Sequence, residues 1–256
     1  MSALSFISNY GSSSDESEKE SEENKRLQPQ CKKIKLQLPD LSCVPIVPPE
    51  SHSEDPQDHG GRVRSFPHVR GNWATFIYVK YPEEESLLSL SQRLLGILSA
   101  FKDSCHVCDN VHISLSKTVV LQYHLITPFT RSLQEVFRNI DCFCLDFSGI
   151  KVYCNEENTR TFIALEVDYS SKIRLLQLSQ NVDDVLKEYK LPLFYENPSF
   201  HMSIIWLTGD KKAELSSLMS EFNNSLNKEL GNTINPVLVS DLNCKIGNKY
   251  FQFTLQ

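Results

Sequence analysis

The chain has 256 residues, 40% of them hydrophobic, and its 26 basic and 32 acidic side chains give a net charge of −6. This composition allows a real hydrophobic core, and it differs from that of proteins that bind many nucleic-acid phosphates through a basic face. Because no apolar signal region and no run of about 18 apolar residues occurs, we expect an intracellular, soluble protein with no membrane partner. Its eight cysteines should then be reduced thiols.

The first 61 residues differ from the rest of the chain. They carry six basic and eleven acidic side chains, against twenty and twenty-one in residues 62–256, and residues 12–23 form a low-complexity run of Ser, Glu and Asp. Such a composition buries too little apolar surface to offset chain entropy, so we predict a disordered tail before a domain at 62–256. The basic run at 32–35, preceded by Lys25 and Arg26, matches a short nuclear-import pattern. We therefore predict that the protein is located in the nucleus.

In chain order, the first half alternates strands and helices. Residues 73–81 predict a strand, and Pro82 and the glutamates after it begin a helix. A strand follows at 111–116, and then a helix at 128–140. The predicted apolar positions of the two helices are Leu87, Leu90, Leu94 and Leu98, then Phe129, Leu133, Val136, Phe137 and Ile140.

The second half continues the alternation. Residues 142–154 and 160–167 predict a hairpin around the turn at 155–158. The later elements are a helix at 171–189, a strand from Phe200, a helix at 212–230 capped by Gly231, and strands at 237–242 and 249–255. The third helix should bury Ile173, Leu176, Val182, Val185, Leu186 and Tyr189. Together these elements predict an α+β fold of two pseudo-symmetric lobes, with antiparallel or mixed sheets, outer helices and a central cleft.

Two short stretches repeat one pattern. In residues 111–116, apolar side chains alternate with His112, Ser114 and Ser116, and in residues 200–204 they alternate with His201 and Ser203. Successive side chains of a strand point to opposite faces, so each stretch presents a histidine and a serine on one face. The copies lie 89 residues apart, which leaves room for about one lobe of on the order of a hundred residues.

Paired histidines suit displacement at a phosphodiester. One imidazole takes a proton from the attacking oxygen and the other gives one to the leaving oxygen, since histidine holds either state near neutral pH. The serine hydroxyls would donate hydrogen bonds to the non-bridging phosphate oxygens. The simpler alternative is two unrelated edge-strand histidines.

Four cysteines could suggest a metal. Cys105 and Cys108 have half of a zinc-site spacing, and Cys142 and Cys144 fall on one face of a predicted strand. Because isolated cysteines commonly behave as small hydrophobic residues, we interpret them as buried thiols. We predict no metal and no cofactor.

Five stretches in combination resemble the two-histidine (2H) phosphoesterase superfamily and, within it, the U6 snRNA phosphodiesterase family. The resemblance covers residue 62 to the C-terminus and implies the two-lobed fold. The stretches are residues 64–75, 112–121, 158–162, 195–203 and 247–250.

The resemblance implies a 3′–5′ exonuclease that trims the oligouridine 3′ end of U6 snRNA, so the partner is a single-stranded RNA 3′ end, and we expect a monomer. A ribose 2′-hydroxyl would attack the adjacent phosphorus and leave a 2′,3′-cyclic phosphate. The proposed catalytic residues are His112 and His201, as base and acid in either order, with Ser114 and Ser203 as phosphate donors. Tyr195, Ser199 and Glu156 would bind the terminal nucleoside.

Two other functions fit the same motifs. A phosphodiesterase that opens 2′,3′-cyclic ends would use both histidines with water as the nucleophile. A non-catalytic RNA-binding protein, recruited through the acidic tail, would not need paired acid–base groups.

Overall fold

The computed structural model describes residue 66 and residues 69–82, 85–230 and 236–256, without the side chains of residues 102, 103 and 228–230. The predicted tail and its basic run lie outside the described residues, as do the cap at Gly231 and part of the helix start at 82–85. None of the helices described here has the length and hydropathy that crossing a membrane requires.

The described chain contains eleven strands and five α-helices. The strands are β1 (Asn72–Lys80), β2 (Cys105–Val107), β3 (His112–Ser114), β4 (Val119–Gln122), β5 (Phe143–Leu145), β6 (Phe147–Cys154), β7 (Arg160–Val167), β8 (His201–Thr208), β9 (Val237–Val239), β10 (Asp241–Ile246) and β11 (Lys249–Thr254). The helices are α1 (Glu85–Ile97), α2 (Ile126–Phe137), α3 (Tyr169–Glu188), α4 (Lys212–Ser216) and α5 (Met219–Leu230). Short 3₁₀ turns lie at Ser99–Ser104 and Tyr123–Leu125.

Nine of these strands form one sheet, in the order β11-β10-β1-β3-β8-β7-β6, with β4 added beside β1 and β2 beside β8. All strand pairs among the described residues are antiparallel. The first lobe contains β1, β3, β4, β10 and β11, and the second lobe contains β2, β6, β7 and β8. The lobes meet where β3 pairs with β8, which puts the two histidine strands side by side.

The helices pack around this sheet. Helix α2 contacts β11 of the first lobe, whereas α4 and α5 contact β6 of the second lobe. On α2 the side chains of Ile126, Phe129, Leu133 and Phe137 are buried, and this i, i+3, i+7 spacing is that of one apolar helix face. The predicted α+β fold with two lobes is confirmed, and the last two strands complete the first lobe.

Helix α3 buries most of the predicted face, including Val182, Val185 and Leu186, but differs at its N-terminal end. Asp168 caps its N-terminus by accepting hydrogen bonds from the Ser170 and Ser171 backbone N–H groups, so the helix begins earlier than predicted. The buried positions then include Leu175 and Leu178, and the prediction for Ile173 is wrong, because its side chain is 46% exposed.

Other elements also differ from prediction. The helix predicted at 212–230 is two helices, α4 and α5, separated at residues 217 and 218. The strand predicted at 237–242 is interrupted at Ser240, so that β9 pairs with β5 in a separate two-stranded sheet. The sequence patterns also missed β2 and β4, which are only three and four residues long.

A tight turn joins β10 to β11 at Gly247. Its φ of +58° lies in the left-handed region that favours glycine. A Cβ placed there would also overlap the Trp73 ring. Glycine therefore lets this hairpin lie against β1, where the Gly247 N–H donates to the Ala74 carbonyl at 2.8 Å.

Candidate active site at the junction of the lobes

The two histidine strands form a crossed arrangement of side chains. Ile113 pairs with Met202 in the antiparallel register of β3 and β8, and both side chains are buried. Continuing this register puts His112 opposite Ser203, and Ser114 opposite His201. Each histidine therefore has the serine of the other motif as its cross-strand neighbour, on the face opposite the buried pair.

Both imidazoles are oriented by the same kind of hydrogen bond. Nδ1 of His112 lies 2.9 Å from the Asn110 carbonyl oxygen, and Nδ1 of His201 lies 2.7 Å from the Ser199 carbonyl oxygen. Because a carbonyl oxygen only accepts, Nδ1 is the donor in each ring. The neutral ring then carries its lone pair on Nε2, and that atom is left to exchange protons with a substrate.

Burial lowers the pKa of both His112 and His201 below the ordinary value of histidine. The hydrogen bonds to the carbonyl oxygens oppose this shift, since they favour the charged ring. The positive charge of His112 lowers the pKa of His201 further. A proton on His112 therefore disfavours a proton on His201.

The surroundings of His201 contain an aromatic ring and an ion pair. The Tyr153 ring stacks on the His201 imidazole with a centroid distance of 3.9 Å, and its hydroxyl lies 3.0 Å from Oγ of Ser199. Glu166 is opposite His201 in the register of β7 and β8, and its Oε1 lies 3.0 Å from Nζ of Lys151. Lys151 lowers the pKa of His201, whereas Glu166 raises it.

The surroundings of His112 are aromatic and cationic. The rings of Tyr78 and Phe76, both on β1, lie with their centroids 5.2 and 5.5 Å from that of His112. Burial has the largest effect on the pKa of His112, and the positive charge of Lys245 lowers that pKa further. No carboxylate is among the causes of this shift within the part of the chain described. The charges around the two histidines therefore differ.

The predicted nucleoside-binding residues come together beside the second histidine motif. Tyr195 is 46% exposed, and its hydroxyl hydrogen-bonds to the carboxylate of Glu156, which lies on the turn between β6 and β7. Nζ of Lys117 lies 4.1 Å from the centroid of the Tyr195 ring and 3.8 Å from a carboxylate oxygen of Glu156. The Ser199 hydroxyl lies 3.0 Å from that of Tyr153, whose ring stacks on His201.

One residue of the first motif is placed differently from the prediction. Strand β3 ends at Ser114, so the alternation does not continue to Ser116. The Ser116 side chain is buried, and its Oγ accepts a hydrogen bond of 2.9 Å from the Ile77 backbone N–H. The Ser116 hydroxyl therefore binds the backbone of β1 and does not share the face of His112.

The six described cysteines form no metal-binding cluster with other side chains of the described residues. Among the described residues no group of three or more His, Cys, Asp or Glu side chains could hold a metal ion, and the six described cysteines form no disulfide. Cys105, Cys108 and Cys142 are partly buried, but Cys144 is exposed, so its interpretation as a buried thiol is wrong.

Sequence reasoning missed several neighbours of the histidines: Phe76, Tyr78, Lys151, Tyr153, Glu166 and Lys245. They lie on β1, β6, β7 and β10, and pairing between strands brings them to the histidines. Only the alternation within single strands carried a signal, because it put Phe76 and Tyr78 on one face of β1, and Lys151 and Tyr153 on one face of β6.

The antiparallel fold, with a His–x–Ser motif on each of two adjacent strands, is the arrangement that the resemblance to the two-histidine phosphoesterases predicted. A family model described as HVSL, an uncharacterised conserved protein, matches residues 36–254. U6 snRNA phosphodiesterase 1 of Mus musculus is 38% identical over 232 residues, which cover 87% of this chain and 84% of the mouse protein. The Drosophila melanogaster protein of the same name is 37% identical over 205 residues, covering 79% and 78%. The chain therefore belongs to the U6 snRNA phosphodiesterase 1 family.

A solved structure also resembles this fold. Usb1 of Kluyveromyces marxianus, whose structure was determined with uridine monophosphate, matches with a TM-score of 0.56 at 16% identity. The match covers 73% of this chain and 100% of the yeast chain. The resemblance stated from the sequence motifs is confirmed, whereas the domain boundary at residue 62 stays a prediction.

Proposed function

We propose that this chain is a 3′–5′ exoribonuclease that trims the oligouridine end of U6 snRNA by acid–base catalysis without a metal. The observation that carries the proposal is the crossed pair of His–Ser neighbours, with both Nδ1 atoms bound to carbonyl oxygens. The relatives named U6 snRNA phosphodiesterase 1 support the RNA substrate, and the yeast Usb1 structure with uridine monophosphate supports a uridine at the site.

The charges around the two histidines support one division of roles. Lys245 disfavours a proton on His112, so His112 is the ring suited to accept one, as the general base. Among the described residues the only carboxylate that acts on either ring is Glu166, which favours a proton on His201 although His112 and Lys151 oppose it, so we assign His201 as the general acid. The low pKa that burial gives both rings keeps the base neutral and makes the acid a ready donor.

The reaction then proceeds in one displacement. Nε2 of His112 takes the proton of the ribose 2′-hydroxyl, and the 2′-oxygen bonds to the adjacent phosphorus. The bond from phosphorus to the 5′-oxygen breaks, and His201 gives its Nε2 proton to that oxygen. Ser114 and Ser203 donate hydrogen bonds to the non-bridging oxygens, whose charge rises in the transition state. The shortened RNA keeps a 2′,3′-cyclic phosphate, and the terminal nucleoside is released.

The terminal nucleoside lies on the His201 side in this proposal. The half-exposed ring of Tyr195 offers a stacking face, and Glu156 and Ser199 offer polar groups beside it. The lysine over the Tyr195 ring, Lys117, would be displaced by a stacking base or would move to the phosphate. We further propose a monomer that works in the nucleus, consistent with relatives named for a spliceosomal RNA.

The test is a time course of the full chain on 5′-labelled oligouridine with EDTA present. The control is the same oligomer with 2′-deoxyuridine at the penultimate position, which removes the attacking hydroxyl of the first step. We expect a ladder that shortens from the 3′ end, with cyclic phosphate termini in mass spectra, and no first cleavage of the control. Cleavage that needs a metal, or that proceeds on the deoxy control, would contradict the proposal. Opening of 2′,3′-cyclic uridine phosphate without shortening of the oligomer would indicate a cyclic phosphodiesterase.

A further inference from the structure

An aromatic surface that the proposed mechanism does not use extends from His112 to the edge of the sheet. Tyr250 on β11 is 67% exposed. It pairs with Lys245 in the register of β10 and β11, and Nζ of Lys245 lies 5.2 Å from the centroid of its ring. The exposed ring thus has a cation beside it and an open face.

Contacts on β1 connect this exposed ring to His112. Phe76 pairs with Lys245 in the register of β1 and β10, and the Phe76 ring centroid lies 5.5 Å from that of His112. Tyr78 lies beside both, with centroid distances of 5.0 Å to Phe76 and 5.2 Å to His112. Phe76, Lys245 and Tyr250 are thus neighbours across three strands, and together with Tyr78 they form a row, here called the aromatic row, that begins at the proposed general base.

The aromatic row lies on the side of the site where the RNA upstream of the cleaved bond is expected. The general base takes its proton from the 2′-hydroxyl, which belongs to the nucleoside upstream of the cleaved bond. The general acid faces the released nucleoside, on the side where Tyr195 lies. An upstream nucleoside whose 2′-hydroxyl reaches Nε2 of His112 is thus on the same side as the aromatic row.

The chemistry of the row suits a nucleobase. An exposed tyrosine offers a stacking face to any base, and a neighbouring lysine offers a charge to the RNA backbone. The second lobe carries a comparable pair, since Nζ of Lys117 lies over the Tyr195 ring. We propose that Tyr250, with Lys245, forms a second base-stacking subsite that holds the nucleoside upstream of the cleaved bond. This inference rests on the proposed exonuclease function.

The experiment compares two 5′-labelled oligouridines that differ only at the penultimate residue, which is either uridine or an abasic ribonucleotide that keeps its 2′-hydroxyl. The full chain and the variants Tyr250→Ala and Tyr250→Phe are measured for kcat/KM of the first cleavage. Tyr169→Ala is the matched control, because Tyr169 is 80% exposed at the start of α3. Thermal unfolding of each variant checks that it is folded.

We expect Tyr250→Ala to lower kcat/KM about tenfold on the uridine oligomer and to leave the abasic oligomer unaffected. Tyr250→Phe keeps the stacking face and should stay within about twofold of the native chain, as should Tyr169→Ala. An equal loss on both oligomers, or no loss on either, would overturn the subsite while leaving the exonuclease function in place. Inactivity of the native chain on the uridine oligomer would instead overturn the proposed function, and this subsite with it.

Discussion

His112 and His201 donate their Nδ1 hydrogens in the same way, each to the carbonyl oxygen of the residue two positions earlier, yet their neighbours differ. Lys245 acts on His112, whereas His201 is opposite Glu166 and stacks on Tyr153. The shared geometry fixes the reactive atom, Nε2, in both rings. An acid–base pair needs one ring that accepts a proton and one that donates it, and the carboxylate beside His201 is the difference on which the proposed roles rest.

The two lobes also reach this arrangement by different routes along the chain. The second lobe places His201 with strands that are close in sequence, β6 to β8. The first lobe places His112 with strands from both ends of the described chain, because β10 and β11 pair beside β1. Lys245 and Tyr250 are therefore close to His112 in space although they are far from it in the sequence. The two lobes resemble each other in the strands that carry the histidines, but not in the residues that surround each ring.

The largest expected effect comes from removing either ring. His112→Ala and His201→Ala should each lower kcat on oligouridine by about 100- to 10,000-fold, because each removes a proton transfer from one displacement step. The double variant should be little slower than the slower single variant, since groups that act in one step are not additive. Single-turnover rates measure this, with His124→Ala, an exposed histidine outside the site, as the control. A variant that keeps native activity would end the claim that both lobes supply catalysis.

A smaller effect is expected from the serines. Ser114→Ala and Ser203→Ala should each lower kcat about ten- to a hundredfold, because each removes a donor to the phosphate oxygens. The matched control is Ser116→Ala in the same motif. Loss of its buried hydroxyl leaves the Ile77 N–H without its acceptor, and it should lower the free energy of unfolding by about 1–3 kcal/mol. Its kcat should stay near native. The account would be wrong about the serines if Ser116→Ala lowered kcat more than the other two.

The smallest effect is a change in the pH profile of kcat/KM. Glu166→Gln removes the carboxylate that raises the pKa of His201. The general acid then loses its proton at a lower pH, so the alkaline limb of the profile should move to lower pH. Lys245→Met removes the cation that lowers the pKa of His112. The general base is then protonated already at a higher pH, so the acidic limb of the profile should move to higher pH. Both variants therefore narrow the pH range of activity, Glu166→Gln at its alkaline end and Lys245→Met at its acidic end. Shifts of the same limb in both variants would contradict the different charges assigned to the two rings.

The sequence predicted the parts of the site that depend on short-range alternation. Period-two patterns put His112 and Ser114 on one face of β3, and His201 and Ser203 on one face of β8. The prediction failed for Ser116, because β3 ends at Ser114 and alternation no longer decides where the side chain points. The prediction also failed for Ile173 of α3, whose side chain is 46% exposed although it is apolar and lies at helical spacing from Leu176.

The parts that depend on the register between one strand and its neighbour could not be predicted. Glu166 faces His201, and Lys245 lies beyond Phe76, only through the registers of β7 with β8 and of β10 with β1. Alternation says which residues share a face of one strand, but it does not say which strand lies next to it. The histidines were therefore found from the sequence, whereas the charges that distinguish them were not.

The division of labour between the rings can be tested with a changed leaving group. In an oligouridine whose last linkage carries sulfur in place of the bridging 5′-oxygen, the leaving thiolate needs no proton, so a general acid becomes dispensable. We predict that His201→Ala recovers to within about tenfold of the native rate on this substrate, whereas His112→Ala stays about 100-fold or more slower, because the 2′-hydroxyl still needs a base. Recovery of His112→Ala in place of His201→Ala would contradict the assignment of His112 as base and His201 as acid.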